Sequence, residues 1–229
     1  MTIEAVLFDY SGTLFRLEDA QFWGEELHTA DGRVLDMHEQ AEIMRRMTAP
    51  VEQAMRFDER GQHAWDNRDL DPELHRYILL EVLRQSGVPT EDQAERLYQR
   101  LIDPLAWTPY PDTVAVLNSL AAQGIPTAVV SNIPFDIRPA FTALGLDAAL
   151  GAFALSFEVG AIKPDPRIFR AALDKLGVEP GAALMVGDSA EADGGAAALG
   201  CRFALVEALP TAERADALLD VLRQYGLAE

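Results

Sequence analysis

The stretch that decides the fold is IEAVLFDYSGT, residues 3–13. Up to Phe8 its residues are nearly all apolar, a pattern typical of a strand that is buried on both faces of a parallel sheet. The run stops at Asp9, and Gly12 then favours a tight turn. A carboxylate at the end of a buried strand can be a nucleophile, a metal ligand or only a turn residue, and this stretch alone leaves all three open.

Four further short apolar runs predict the other strands of the sheet, at residues 127–130, 153–155, 183–186 and 203–206. Helical patterns precede three of them, at residues 112–123, 166–176 and 190–199. Strands that alternate with helices indicate a parallel sheet covered on both faces, a Rossmann-like doubly wound α/β fold. Residues 16–105 lack strand-like runs and indicate an insertion of several amphipathic helices, with Thr90 as an N-cap.

Charge and composition exclude several classes of function. The formal net charge is −18, which argues against binding to nucleic acid or to an anionic membrane. A small anionic substrate is compatible with this net charge, because a metal ion and one lysine can make a pocket locally positive. Cys201 is the single cysteine and is predicted to be a core residue. The N-terminus has no basic region before its first apolar run and so does not resemble a signal peptide, and we expect a cytoplasmic protein. We expect either a monomer or a homodimer.

Polar side chains are predicted to meet at one edge of the sheet. Three strands end in small polar or acidic residues, namely Asp9, Ser131 and Asp188. Ligands of open α/β sheets bind at the carboxyl ends of the strands, so this convergence predicts a site. Asp188 and Asp193 could bind one hard cation together with Asp9, since magnesium prefers oxygen ligands. The alternative is that Asp188 or Ser189 is a helix N-cap and that Asp193 interacts with a helix dipole.

Lys163 is the candidate cation of this site. It is one of only two lysines, whereas the chain has seventeen arginines. A compact ammonium suits a confined pocket, where it could neutralise both Asp9 and an incoming phosphoryl group. The alternative is a loop lysine in solvent. The hydroxyl of Thr13 is available to a phosphate oxygen or to its own loop.

These pieces, in this order, resemble the haloacid dehalogenase-like superfamily. The resemblance rests on Asp-x-x-Gly-Thr at residues 9–13, Ser131-Asn132, Lys163-Pro164 and Gly-Asp-x-x-x-x-Asp at residues 187–193. It implies two domains: a catalytic core of residues 1–15 and 106–229, and an α-helical cap of residues 16–105.

The resemblance also implies a mechanism and a set of site residues. Asp9 would attack phosphorus to give an aspartyl-phosphate, and Lys163 would balance the charge. The implied cofactor is Mg²⁺, held by Asp9, the carbonyl of Ser11, Asp188 and Asp193. The implied substrate is a small phosphorylated metabolite, bound by Gly12, Thr13, Ser131 and Asn132.

Ser11 departs from the phosphatase pattern of this superfamily. Phosphatases usually carry a second aspartate here, which protonates the leaving alcohol and then activates water, and such catalysis is worth roughly 10² to 10⁴ in rate. An acid from the cap, or a good leaving group, could compensate. The aspartyl-phosphate could instead be long-lived, or the protein could be a non-catalytic phosphometabolite-binding or regulatory protein. Four histidines in the cap are candidates for the missing group: His28, His38, His63 and His75.

Two kinds of relative lack this aspartate. Phosphonate-cleaving members use a cap lysine, but residues 15–107 contain no lysine. The metal-independent 2-haloacid dehalogenases share a pair like Ser131-Asn132, but have Ser-Asn in the fourth loop, where this chain has Gly187-Asp188. A phosphatase or phosphotransferase is therefore the preferred interpretation.

Overall fold

The computed structural model describes residues 2–18, 32–48, 55–88 and 90–228, and for residues 44–48 it describes the backbone alone. The strands, in chain order, are β1 (Ala5–Phe8), β2 (Phe15–Arg16), β3 (Thr108–Pro109), β4 (Thr127–Ser131), β5 (Ala152–Leu155), β6 (Ala183–Gly187) and β7 (Arg202–Leu205). The helices are α1 (Met37–Thr48), α2 (Glu59–Asn67), α3 (Pro72–Gln85), α4 (Glu91–Ile102), α5 (Thr113–Ala122), α6 (Arg138–Ala143), α7 (Ser156–Val159), α8 (Pro166–Leu176) and α9 (Ala217–Gln224).

A five-stranded parallel sheet in the order β5-β4-β1-β6-β7 forms the core. Every residue of β1 is buried, since this central strand pairs with β4 on one side and with β6 on the other. The chain runs from β1 outward to β5 and then returns to β6 on the opposite side. The crevice at the carboxyl end of β1 is therefore the topological switch point, where such folds bind ligands. The predicted α/β class is confirmed.

The helices α1 to α4, residues 37–102, lie between β2 and β3, and we call them the helical insertion. Side chains cap three of them. Asp58 accepts the N–H of Gly61 at the start of α2, Asp71 accepts that of Glu73 in α3, and Thr90 caps α4 as predicted. The strands β2 and β3 form an antiparallel ribbon, so the two connections to the helical insertion run side by side. The domain boundaries at residues 15 and 105 stay predictions.

Some predicted bounds were wrong. The first strand begins at Ala5 rather than Ile3, and the helix predicted over residues 190–199 is a 3-10 helix over Asp193–Leu199. Two causes act here. A polar turn occupies residues 189–192, where Ser189 Oγ accepts the N–H of Ala192 at 3.1 Å. Gly194 and Gly195 are also poor helix formers, and the second packs directly against Pro164.

Cys201 is buried in the core, as predicted. Within the part of the chain that the structure describes, every helix is too short or too polar to cross a membrane.

Candidate active site

Asp9 follows the last residue of β1 and is held in place by the neighbouring strand and by its own loop. Its N–H donates to the carbonyl of Val186 at 2.9 Å, which extends the β1–β6 pairing by one residue. The residue is 5% exposed, and the hydroxyl of Thr13 donates to Oδ2 at 3.4 Å. The loop turns sharply at Gly12, whose φ of 77° favours glycine. The carboxylate is therefore fixed at the switch point of the sheet.

The Lys163 ammonium joins two carboxylates. Its Nζ lies 2.5 Å from Asp9 Oδ1 and 2.6 Å from Asp193 Oδ1, and all three side chains are buried. The Asn132 side chain fixes the backbone of this lysine. Asn132 Oδ1 accepts the lysine N–H at 2.7 Å, and its Nδ2 donates to the lysine carbonyl at 3.2 Å. In this arrangement the asparagine amide positions the backbone of Lys163, and Asn132 also lines the cavity of the site, so its predicted substrate-binding role stays a prediction.

Two glycines allow the acidic loops to approach each other. A Cβ on Gly12 would lie 2.3 Å from Asp188 Oδ2, and a Cβ on Gly187 would lie 2.1 Å from Asp193 Oδ2. Any side chain at either position would displace a carboxylate of the site. Asp193 is further fixed by the N–H of Ser189, which donates to its Oδ2 at 2.9 Å.

The acids of the site shift each other's protonation. Burial, and then the charges of Asp193 and Asp188, raise the pKa of Asp9 to about 7, although Lys163 opposes this. Burial and the charge of Asp193 likewise raise the pKa of Asp188 to about 6. Burial disfavours the charge of Lys163, but its two carboxylate partners outweigh that effect and raise its pKa, so it stays an ammonium.

The acidic cluster fits a hard divalent cation. Asp9, Asp188 and Asp193 each offer one oxygen, and these atoms lie within 4.8 Å of one another. Both oxygens of Asp193 accept short hydrogen bonds, at 2.6 Å from Lys163 and 2.9 Å from Ser189, whereas Asp9 Oδ2 accepts, among the described residues, only the 3.4 Å bond from Thr13. Asp9 and Asp188 are therefore better placed for direct binding, while Asp193 orients the lysine. Oxygen donors of this kind suit magnesium.

A cavity of about 780 Å³ opens onto the cluster. It is lined by most of the predicted site residues: Asp9, Ser11, Ser131, Asn132, Lys163, Asp188 and Asp193. Gly12 and Thr13 are buried and do not line it. The volume suits a small metabolite, and residues of the helical insertion form part of the cavity wall.

Some residues of the site escaped the sequence analysis. Asp69 lines the cavity from the turn between α2 and α3, where the only local signal is an acid between two helices. Arg214 is buried and donates from Nη1 to the carbonyl of Gly12 at 2.6 Å and from Nη2 to that of Thr13. Nothing near it in the sequence indicates this contact. Of the four histidines, His75 alone lines the cavity among those that the structure describes, and His28 lies outside the described residues.

The family model for haloacid dehalogenase-like hydrolases matches residues 3–200 of the chain. The chain belongs to the haloacid dehalogenase-like hydrolase family. That match includes every predicted site residue, but it ends before Arg214.

Curated relatives of this family carry both phosphatase and dehalogenase names. The mouse haloacid dehalogenase-like hydrolase domain-containing protein 3 is 36% identical, over 61% of this chain and 59% of its own. The phosphoserine phosphatase of Thermus thermophilus is 32% identical, over 66% of this chain and 64% of its own. The (S)-2-haloacid dehalogenase 1 of Pseudomonas sp. is 39% identical, over 40% of each chain. The chain thus covers less than two thirds of the length of these relatives.

Solved structures of haloacid dehalogenase-like proteins share the fold over nearly the whole chain. A dehalogenase superposes with a TM-score of 0.70 at 22% identity, covering 97% of this chain and 96% of its own. The phosphatase from Thermococcus onnurineus superposes with a TM-score of 0.57 at 23% identity, covering 99% of both. Because both kinds of enzyme share this fold, the fold leaves the reaction open.

Proposed function

We propose that the protein is a magnesium-dependent phosphatase of a small phosphorylated metabolite. The observation that carries the proposal is Asp188, which brings a second carboxylate beside Asp9 at the cavity. A metal-independent displacement on carbon has no use for that extra negative charge. A phosphoryl transfer needs a cation at this place, because negative charge on phosphoryl oxygens must be neutralised.

Each residue of the site has its own role in the proposed reaction. Asp9 attacks phosphorus and becomes an aspartyl-phosphate, while Lys163 holds its carboxylate in position and balances the charge. The Ser131 hydroxyl, at the end of the neighbouring β4, binds a phosphoryl oxygen. Thr13, behind the nucleophile, orients Asp9 Oδ2. Asp9, Asp188 and the Ser11 carbonyl would hold Mg²⁺, with Asp193 in support, and the bound ion would supply charge neutralisation to the phosphoryl group.

Two relatives support the substrate class. The Thermus thermophilus relative is a phosphoserine phosphatase, and one from Rhodospirillum rubrum, 44% identical over 38% of this chain, is a phosphoglycolate phosphatase. The substrates in both names are small phosphorylated acids, which the cavity could hold. The single cysteine and the net charge of −18 support a cytoplasmic location.

The test is phosphate release from a panel that contains p-nitrophenyl phosphate, phosphoserine and phosphoglycolate. We expect turnover with Mg²⁺, none after chelation, and none in Asp9→Asn. Equilibrium dialysis of Mg²⁺ against the wild type and Asp188→Asn measures the metal site separately, and the variant should bind more weakly. A protein that binds Mg²⁺ but turns over no member of the panel would contradict the proposal and favour a phosphometabolite-binding role.

A 2-haloacid dehalogenase is the second candidate, favoured by the identity of 39% to the Pseudomonas enzyme. Asp9 would then attack carbon and displace halide without a metal. Halide release from 2-chloropropionate in the presence of a chelator tests this directly. We expect none, because the acid Asp188 occupies the cavity.

A further inference from the structure

We propose that Asp69, from the helical insertion, performs the proton transfers that Ser11 cannot perform. The proposal rests on the phosphatase function above. A serine hydroxyl holds its proton too tightly to protonate a leaving alcohol or to activate water near neutral pH. The group that does so must reach the cavity from elsewhere in the chain.

The backbone of Asp69 is fastened to the core. The residue lies in the turn between α2 and α3, and its carbonyl accepts a hydrogen bond from the hydroxyl of Ser156. Ser156 Oγ in turn accepts the N–H of Ile133 at 2.8 Å. Ile133 follows Ser131 by two residues, so the turn is docked on the loop that begins at the proposed phosphate-binding hydroxyl. Asp69 therefore has a fixed position in the wall of the cavity, which Asp9 and Ser11 also line.

The electrostatic surroundings of Asp69 suit proton transfer. Burial raises its pKa above the ordinary value, while the charges of Arg68 and Lys163 limit the rise. A carboxyl group whose pKa is moved toward neutrality can both give and accept a proton during turnover. The influence of Lys163 also links Asp69 to the nucleophile, since the same ammonium lies 2.5 Å from Asp9 Oδ1.

The other titratable side chains of the described cavity wall are less suitable. Asp188 and Asp193 belong to the acidic cluster. Asp66 and Glu191 are exposed to solvent at the rim. His75 is buried, which lowers its pKa to about 3, and its Nδ1 lies 3.3 Å from the hydroxyl of Tyr98. This histidine is neutral at physiological pH, so it lacks the imidazolium proton that a general acid would give.

Asp69 alone can supply and recover the proton that the two half-reactions need. In the first, an Asp9 oxygen bonds to phosphorus, the ester P–O bond breaks, and the Asp69 carboxyl gives its proton to the departing alkoxide. In the second, the Asp69 carboxylate takes a proton from water, and the hydroxide oxygen bonds to phosphorus. The bond between phosphorus and Asp9 then breaks, which releases phosphate and restores both side chains to their starting forms.

The test compares Asp69→Asn with Asp66→Asn. The control carries the same substitution three positions earlier in the same cavity wall, but on an exposed side chain. Two substrates separate the two steps. Glycerol 2-phosphate has a poor leaving group that needs the acid, whereas p-nitrophenyl phosphate has a good one that does not. For Asp69→Asn we expect kcat on glycerol 2-phosphate to fall by about 10² to 10⁴, and the control to match the wild type.

With p-nitrophenyl phosphate, Asp69→Asn should give a burst of one nitrophenol per enzyme followed by slow turnover. The burst arises because the aspartyl-phosphate forms but lacks the base for its hydrolysis, and a purely structural role for Asp69 would not produce it. Adding Ser11→Asp to Asp69→Asn should restore turnover, since it supplies the same group from the nucleophile loop.

Unfolding midpoints of all variants establish that they are folded, and Asp69→Ser serves as a second replacement if the asparagine variant is not. A folded Asp69 variant with wild-type kcat on both substrates would overturn the proposal and leave the phosphatase function standing. A wild type inactive on glycerol 2-phosphate and on every member of the panel above would instead overturn the phosphatase function itself, and this proposal with it.

Discussion

Gly187→Ala tests how tightly the acidic cluster is packed. A Cβ at this position would lie 2.1 Å from Asp193 Oδ2, 2.2 Å from its Cγ and 2.5 Å from its Cβ. Side-chain contacts shorter than about 3 Å are not tolerated, so the buried carboxylate must retreat by about 1 Å. That movement breaks two hydrogen bonds of Asp193: the one from Lys163 Nζ at 2.6 Å and the one from Ser189 N–H at 2.9 Å.

The expected cost follows from these two bonds. A hydrogen bond to a charged group contributes about 1.5 to 3 kcal/mol, and disturbing a buried ion pair costs about 3 to 5 kcal/mol. We therefore expect Gly187→Ala to lower the free energy of unfolding by about 3 to 5 kcal/mol. Lys163 keeps its contact with Asp9, which holds the loss near the lower end of that range.

Urea unfolding of the metal-free protein, followed by circular dichroism, measures this change. Gly181→Ala is the matched control, because a Cβ there has no atom within 4 Å and the backbone is not left-handed. The control should stay within about 1 kcal/mol of the wild type. A change below about 1 kcal/mol in Gly187→Ala would refute the reasoning, since Asp193 would then have room to move without losing its partners.

Three further predictions concern stability. Arg214→Lys should lower the free energy of unfolding by about 2 to 4 kcal/mol in urea unfolding, because the two guanidinium nitrogens that donate to the carbonyls of Gly12 and Thr13 are replaced by a single ammonium nitrogen without that fixed planar geometry. Asp112→Ala should cost about 1 to 2 kcal/mol and Asp112→Asn less, because Oδ2 accepts two N–H groups at the start of α9, at 2.8 Å and 3.1 Å. Because the pKa of Asp9 rises from 3.8 to about 7 on folding, the folded metal-free protein binds more protons than the unfolded chain between these values. Its free energy of unfolding should therefore fall as the pH rises from about 4 to about 7, more steeply than in Asp9→Asn, in urea unfolding with a chelator present.

The sequence was sufficient for the parts of the site that depend on strand endings. Asp9, Ser131 and Asp188 each follow or end a short apolar run, and parallel strands bring their carboxyl ends to one edge. The sheet needs only local patterns of this kind, so its strands were predicted to within a residue or two. Among the helices, the prediction over residues 190–199 was wrong. Its small residues have a helical pattern, but the segment begins with a polar turn and contains two adjacent glycines, and it forms a 3-10 helix over Asp193–Leu199.

The remaining parts depend on contacts that no local pattern carries. Asn132 holds the backbone of Lys163 across 31 positions of the chain, although its place beside Ser131 favours a substrate-binding role. Asp69 reaches the cavity because its turn docks on Ser156, 87 positions away. Arg214 reaches the nucleophile loop from the far end of the chain. Only the packed structure brings such pairs together.

The charge of the site explains why Lys163 alone does not neutralise its carboxylates. Three carboxylates face one ammonium. Burial and then the charges of the neighbouring carboxylates raise the pKa values of Asp9 and Asp188, although Lys163 opposes both shifts. In the proposed mechanism Asp9 must be ionised to attack phosphorus, and its raised pKa leaves part of it protonated at neutral pH while no cation is bound. Binding of a divalent cation would lower both pKa values, and the same event would then complete the phosphate site and ionise the nucleophile. A second aspartate in place of Ser11 would add another negative charge to this crowded loop. In the proposed arrangement the acid is Asp69, which lines the cavity from the turn between α2 and α3 and lies outside the cluster of Asp9, Asp188 and Asp193.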